Sequence, residues 1–263
     1  MARSIWKGAI SFGLVSIPVS MYTATENRSP SFKQLRKGDN VPIRYKRVAE
    51  TDGQEVAWDD IVKGYEFEKG RYVVFTDEEL EAASPGTSKL VDIVQFVEAD
   101  EIDPIMYQKS YYLAPDKTGL KAYRIFQRAL EEKGVVAIAK VTIREKQHLA
   151  TLRPKDGVLV METMHWPDEI RAAEFEELDG DVEIRDEEVK MAEALIENLT
   201  RPFDPSEYVD TTREAIEAAA AAKVAGEEIV APEAPETTKV VDLLDALKAS
   251  VEATKTEKKQ KSA

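Results

Sequence analysis

Apolar and polar residues alternate in short runs over most of the first 185 positions, and that two-residue period marks strands with one covered face and one wet face. The runs are Arg71–Phe75 (RYVVF), Leu90–Val97 (LVDIVQFV), Tyr107–Ala114 (YQKSYYLA), Val135–Ile143 (VVAIAKVTI) and Gly157–Met164 (GVLVMETM). Asp52-Gly53, Pro85-Gly86 and Asp156-Gly157 supply turn chemistry around them. An antiparallel sheet or barrel is the expected result. Near the N-terminus, Ile10, Phe12, Leu14 and Ile17 fit a strand that pauses at Gly13 and turns at Pro18. Lys7, Gly8 and Ser11 interrupt that stretch, so it fits neither a membrane span nor the apolar run of a cleavable leader.

The period changes to 3.6 in a few places. Thr118–Glu132 sets Tyr123, Phe126 and Leu130 on one helical face and Lys121, Arg124 and Arg128 on another. A helix is predicted to start at Asp186, with Glu187 and Glu188 in its first turn and Val189, Ala192, Ile196 and Leu199 in one stripe. An alanine-rich helix follows over Thr212–Val224. Pro232 and Pro235 then mark a linker, Val240–Val251 a short amphipathic helix, and the lysine-bearing end a disordered tail. The chain therefore divides into a β core over 1–185, a helical arm over 186–226, a linker over 227–238, and a partner-binding helix with tail over 239–263.

Charge changes this picture. The formal net charge of −14 argues against a polyanionic partner, because duplex DNA is usually met by a positive protein surface. The average conceals a segregation. Met1–Glu50 carries nine Lys and Arg against three acids, and Ile105–Lys155 eleven against four, whereas Val160–Val230 carries six against twenty-one. Such a split suits a protein that holds a polyanion on one side and excludes it from the other, although solvated faces give charge blocks as well. Cysteine is absent, so no disulfide or thiolate metal site exists.

Catalytic chemistry finds little support. His148 and His165 lie in different runs without the spacing of a zinc site or a nucleophile triad. The acidic run Glu174–Glu183 lacks the phosphate loop that magnesium-dependent phosphoryl chemistry uses, and reads as a solvated face. Trp6 and Trp58 are able to stack on bases, but both are expected as core anchors. In the run Ile43–Val48, alternation sets Arg44 and Lys46 on the side opposite Tyr45 and Arg47.

Seven segments, SIWKGAISFGLVSIPV (4–19), FKQL (32–35), IRYKRV (43–48), DGQEV (52–56), IVKGYEFEKGRYVVFTDEEL (61–80), TGLKAYRIFQRAL (118–130) and VVDLLDAL (240–247), resemble bacterial Ku proteins. Those are the DNA-end-binding factors of non-homologous end joining, and the motifs run in order over most of the chain. The resemblance implies a mainly β fold with α: a Ku-type β-barrel core with a bridge, then a helical C-terminal arm and a flexible tail. It implies a homodimeric ring that threads onto double-stranded DNA ends without sequence preference or catalysis and recruits ligase D for double-strand break repair. The expected location is the bacterial cytoplasm, in association with the nucleoid and not the membrane, with no cofactor or metal. Some relatives carry cysteines after the IRYKRV run, where Ala49, Glu50 and Thr51 stand here, and this removes the case for a structural zinc.

By the same resemblance, Lys109–Arg144 supplies much of the bridge and the DNA-facing wall, and the helices after Asp186 pack around the partner subunit. The candidate DNA contacts are Lys33, Arg36, Arg44, Lys46, Lys109, Lys117, Lys121, Arg124, Arg128, Lys140 and Arg144, and the candidate ligase contacts are Val240, Leu243, Leu244 and Leu247. Two other classes stand beside this reading. One is an acidic protein-binding scaffold that never touches DNA; the other, a metal-dependent nuclease or phosphatase.

Overall fold

Alternation places Ile17, Val19 and Met21 on one face of a strand and Ala137, Ala139 and Val141 on one face of another, and in the computed structural model all six are at most 3% exposed. They point into a closed barrel whose strand order is β1-β2-β6-β9-β8-β7-β5. The strands are β1 (Trp6–Phe12), β2 (Val15–Thr23), β5 (Leu90–Glu98), β6 (Tyr107–Pro115), β7 (Val135–Ile143), β8 (Lys146–Lys155) and β9 (Val158–Met164). Neighbours pair antiparallel except β1 with β5, a parallel pair that closes the barrel at Ile10↔Val91. Ile10, Leu113, Leu152, Leu159 and Met161 fill the interior together with the residues above. A barrel of this size is filled by its own side chains, and each such residue taken out of water contributes about 1.5–3 kcal/mol.

The structure describes residues 3–83 and 89–227. The chain forms two compact units: one runs to Arg28 and resumes over Lys33–Ala172, the other comprises Ser29–Phe32 and the chain from Ala173. In the second, α3 (Asp186–Leu199) and α4 (Thr211–Ala225) start and end close to the predicted bounds, and neither buries a residue. The ligase candidates Val240, Leu243, Leu244 and Leu247, the linker and the tail lie outside the described residues, as does the Pro85-Gly86 turn.

The N-terminal run folds back earlier than its pattern predicts. The turn is Gly13-Leu14, Leu14 is fully exposed, and Pro18 lies within β2 opposite Ala9. Ala9 N–H donates to Lys89 O on its other side, so Pro18 occupies a non-hydrogen-bonded position against β1. Its missing N–H faces β6 where that ladder ends at Val19↔Pro115, a place where no donor is needed.

One helix of the first unit, α2 (Leu120–Lys133), lies across the barrel end formed by the β1–β2 turn, the end of β6 and the start of β7. Its predicted apolar face enters the core: Phe126 stacks on Phe12 with ring centroids 5.0 Å apart, and the Tyr123 hydroxyl donates to Leu113 O at 2.6 Å. Gly134 (φ 66°) ends the helix in the left-handed region that glycine tolerates.

Between β2 and β5 the chain leaves the barrel. From Lys33 to Lys89 no described residue is buried. The stretch contains the hairpin β3 (Lys63–Glu68) and β4 (Arg71–Phe75) and the helix α1 (Asp77–Ala83), while Val48↔Glu55 is a single bridge around the Asp52-Gly53 turn. The IRYKRV run is thus loop and not strand. Trp58 is no core anchor either: it is 68% exposed, with the Arg47 guanidinium 4.2 Å over its ring. Trp6 packs against the core and donates from Nε1 to Thr142 O at 3.1 Å. Lys109–Arg144, expected to supply much of the bridge, forms barrel wall and end cap; the long excursion is residues 33–89.

Candidate nucleic-acid interface

The eleven basic candidates fall in four places on the first unit. Lys117, Lys121, Arg124 and Arg128 sit at the barrel end that α2 covers, all exposed. Arg124 is tied down there: it donates to Gly157 O at 2.8 Å, clamping the helix to the β8–β9 turn, and to Gln127 Oε1 at 2.9 Å. Arg128 pairs with Glu132 at 2.7 Å, and that hydrogen bond holds the guanidinium above its ordinary pKa. The stripe predicted from spacing therefore exists as geometry, and among the described residues neither Lys121 nor Arg124 has a carboxylate partner.

Lys33, Arg36, Arg44 and Lys46 lie on the excursion. Arg36 forms a two-pronged pair with Asp39, which lowers the Asp39 pKa, and Lys46 meets Glu55 at 2.6 Å. Exposed pairs of this kind are weak, so a phosphate is able to displace the carboxylate. Lys33 and Arg44 have no carboxylate partner among the described residues.

Lys140 stands on the outer wall, on β7 between Asp92 and Leu149. Lys109 and Arg144 are at the opposite end of the barrel from α2. There, Thr23, Lys109, Tyr111, Ile143, His148 and Thr163 from five strands, together with Arg144, line a polar mouth of about 540 Å³. The eleven residues do not converge on one patch of a single chain.

Among the described residues no three His, Asp or Glu side chains are grouped to hold a metal ion, and no helix is long and apolar enough to cross a membrane. A family model for the Ku70/Ku80 beta-barrel domain matches residues 11–191. The chain belongs to the Ku family.

Ku relatives match along its whole length. It is 49% identical over 252 residues to the non-homologous end joining protein Ku of Frankia casuarinae, covering 95% of this chain but 64% of that longer protein. Identity is 46% over 265 residues with the protein of the same name from Heliobacterium modesticaldum (100% of this chain, 96% of the relative). With that of Bacillus subtilis it is 41% over 257 residues (96% and 83%).

Several charged residues of this Ku chain escape the sequence reading. β8, KQHLATLRPK, mixes polar and apolar residues on both faces, and it carries Lys146, His148 and Arg153 into the barrel wall. Arg153 and Glu162 form a two-pronged pair at 2.8 Å that is largely shielded, and Glu162 holds the guanidinium above its ordinary pKa. Lys63 bridges Asp77 at 3.0 Å and Glu145 at 3.6 Å, tethering the excursion to the β7–β8 turn. Reading Arg144-Glu145 as a two-residue hairpin turn would have revealed β8.

Proposed function

We propose that two copies of this Ku chain close a ring around duplex DNA, load from a free end, and act in non-homologous end joining by binding and recruitment, without a catalytic step. The observation that carries the ring is the 33–89 excursion. It exposes Phe32 beside its root and Ile43, Tyr45, Trp58, Tyr65, Tyr72 and Val74 along its length, with no core of its own. Apolar surface on this scale marks a partner interface, and a second copy offers the same surface in return. Lys33 and Arg44 on the excursion and Lys109, Lys117, Lys121, Lys140 and Arg144 on the barrel supply the phosphate contacts, which hold any sequence alike. The acidic surplus after Val160 then faces away from DNA, and the helical arm packs around the partner subunit.

Recruitment of ligase D falls to Val240, Leu243, Leu244 and Leu247, whose spacing suits a helix-in-groove ligand. The deciding experiment offers the protein equal amounts of supercoiled and linearised plasmid at rising salt without added metal. Retention of linear DNA alone, lost as salt rises, supports the threaded ring. Equal retention of both forms overturns threading, and retention of neither overturns DNA binding altogether.

A further inference from the structure

We propose that the open mouth of the barrel is a binding site for a phosphate monoester on a nucleotide-sized body. Among the described residues of the first unit, α2 plugs one end of the barrel. At the other, residues in the inward register stop being apolar: Met21 is followed by Thr23 on β2, Met161 by Thr163 on β9, Tyr111 is preceded by Lys109 on β6, and Ala150 by His148 on β8. The resulting cavity of about 540 Å³ falls within the range of small-molecule sites. Its lining carries two fixed cations, Lys109 and Arg144, an imidazole and several hydroxyls, and no carboxylate.

Neither fixed cation has a carboxylate partner among the described residues. The nearby acid Glu169 is already engaged by Trp166 N–H at 2.9 Å, His165 at 3.5 Å and Lys146 at 4.0 Å. A monoester near neutral pH carries about −1.5 to −2 charges, which matches the two fixed cations better than a singly charged backbone diester does.

Backbone strain points to the same place. Two hairpins of the barrel use two-residue turns with positive φ at both positions: Asp156-Gly157 (48° and 77°) and Arg144-Glu145 (48° and 69°). Asp-Gly is among the sequences that this turn prefers, whereas Arg-Glu pays a steric penalty at both positions. Strain kept at a lining residue is a sign of use. Glu145 is turned to Lys63, and Arg144 to the mouth.

The site does not depend on ring threading; only a DNA source for the phosphate does. The test is thermal unfolding of the full chain with thymidine 5′-monophosphate against thymidine at equal ionic strength. The nucleotide should raise Tm and thymidine should not. Arg144→Gly should abolish the shift while leaving the unliganded Tm equal or higher, since glycine relieves the turn. Lys109→Met provides a second loss of the shift, and Lys140→Ala on the outer wall should retain it.

Affinity for linear duplex with 5′-phosphate against 5′-hydroxyl ends separates the sources. A preference of roughly tenfold, about 1.4 kcal/mol, that vanishes in Arg144→Gly assigns the phosphate to a DNA terminus. A Tm shift without that preference assigns it to a free nucleotide. Absence of both effects overturns the site. A Tm shift in a protein that ignores linear ends overturns the end-binding reading and leaves the site standing.

Discussion

Tyr123 joins three segments through one oxygen. Its hydroxyl donates to Leu113 O and accepts from Leu159 N–H, each at 2.6 Å, with the ring 2% exposed. Tyr123→Phe leaves two buried backbone groups unpaired and should cost about 1–3 kcal/mol, read as a lower urea midpoint with an unchanged m-value. His148 responds to pH. Burial holds its imidazole below the ordinary value, helped by the charges of Lys146 and Lys109 and opposed by Glu169. A depressed folded-state pKa means stability that is complete above the unfolded value of about 6.5 and lost as pH falls through the folded one. The wild-type Tm should therefore drop below that pH, and His148→Gln should flatten the drop there while leaving the carboxylate-driven loss at lower pH. Tyr123 was legible as an apolar helix position, but its hydrogen bonds were not, because both partners come from strands far apart in sequence. His148 was set aside for want of zinc-site or triad spacing, and nothing around it marked β8 as a strand.

At the scale of elements, α2 is where periodicity and packing agree best. Its apolar face at Tyr123, Phe126 and Leu130 was readable from spacing because a helix laid on a barrel end must bury one stripe and wet the other. Phe126 sits against both Phe12 and Phe96, with ring centroids 5.0 and 6.4 Å away. Phe126→Ala should cost about 3–5 kcal/mol by denaturant unfolding and loosen the end cap before the barrel. Arg124 and Lys121, one stripe by spacing, differ in role. Substituting Arg124 should lower Tm, because it removes the tie to Gly157, whereas Lys121→Glu should leave Tm unchanged and act on DNA binding alone. The excursion shows the limit of pattern. RYVVF was legible as β4, yet IRYKRV, which also alternates, makes only the single Val48↔Glu55 bridge, and pairing partners are not written in a local sequence.

For the whole molecule, net charge misleads and its distribution informs. Each phosphate neutralised adds about 0.9 to the slope of log affinity against log salt, so Lys121→Glu should reduce that slope by about this amount for each copy engaged. Alternation alone left sheet or barrel open and the Ku resemblance supplied the barrel, but the parallel pairing of β1 with β5 that closes it was not legible, since it joins segments about eighty positions apart. The excursion between Thr23 and Leu90 has its two feet on barrel strands, β2 and β5. Loop closure grows only logarithmically with length, about 0.6 kcal/mol per doubling. Residues inserted into the arm or removed from it should therefore cost the barrel that carries it almost nothing.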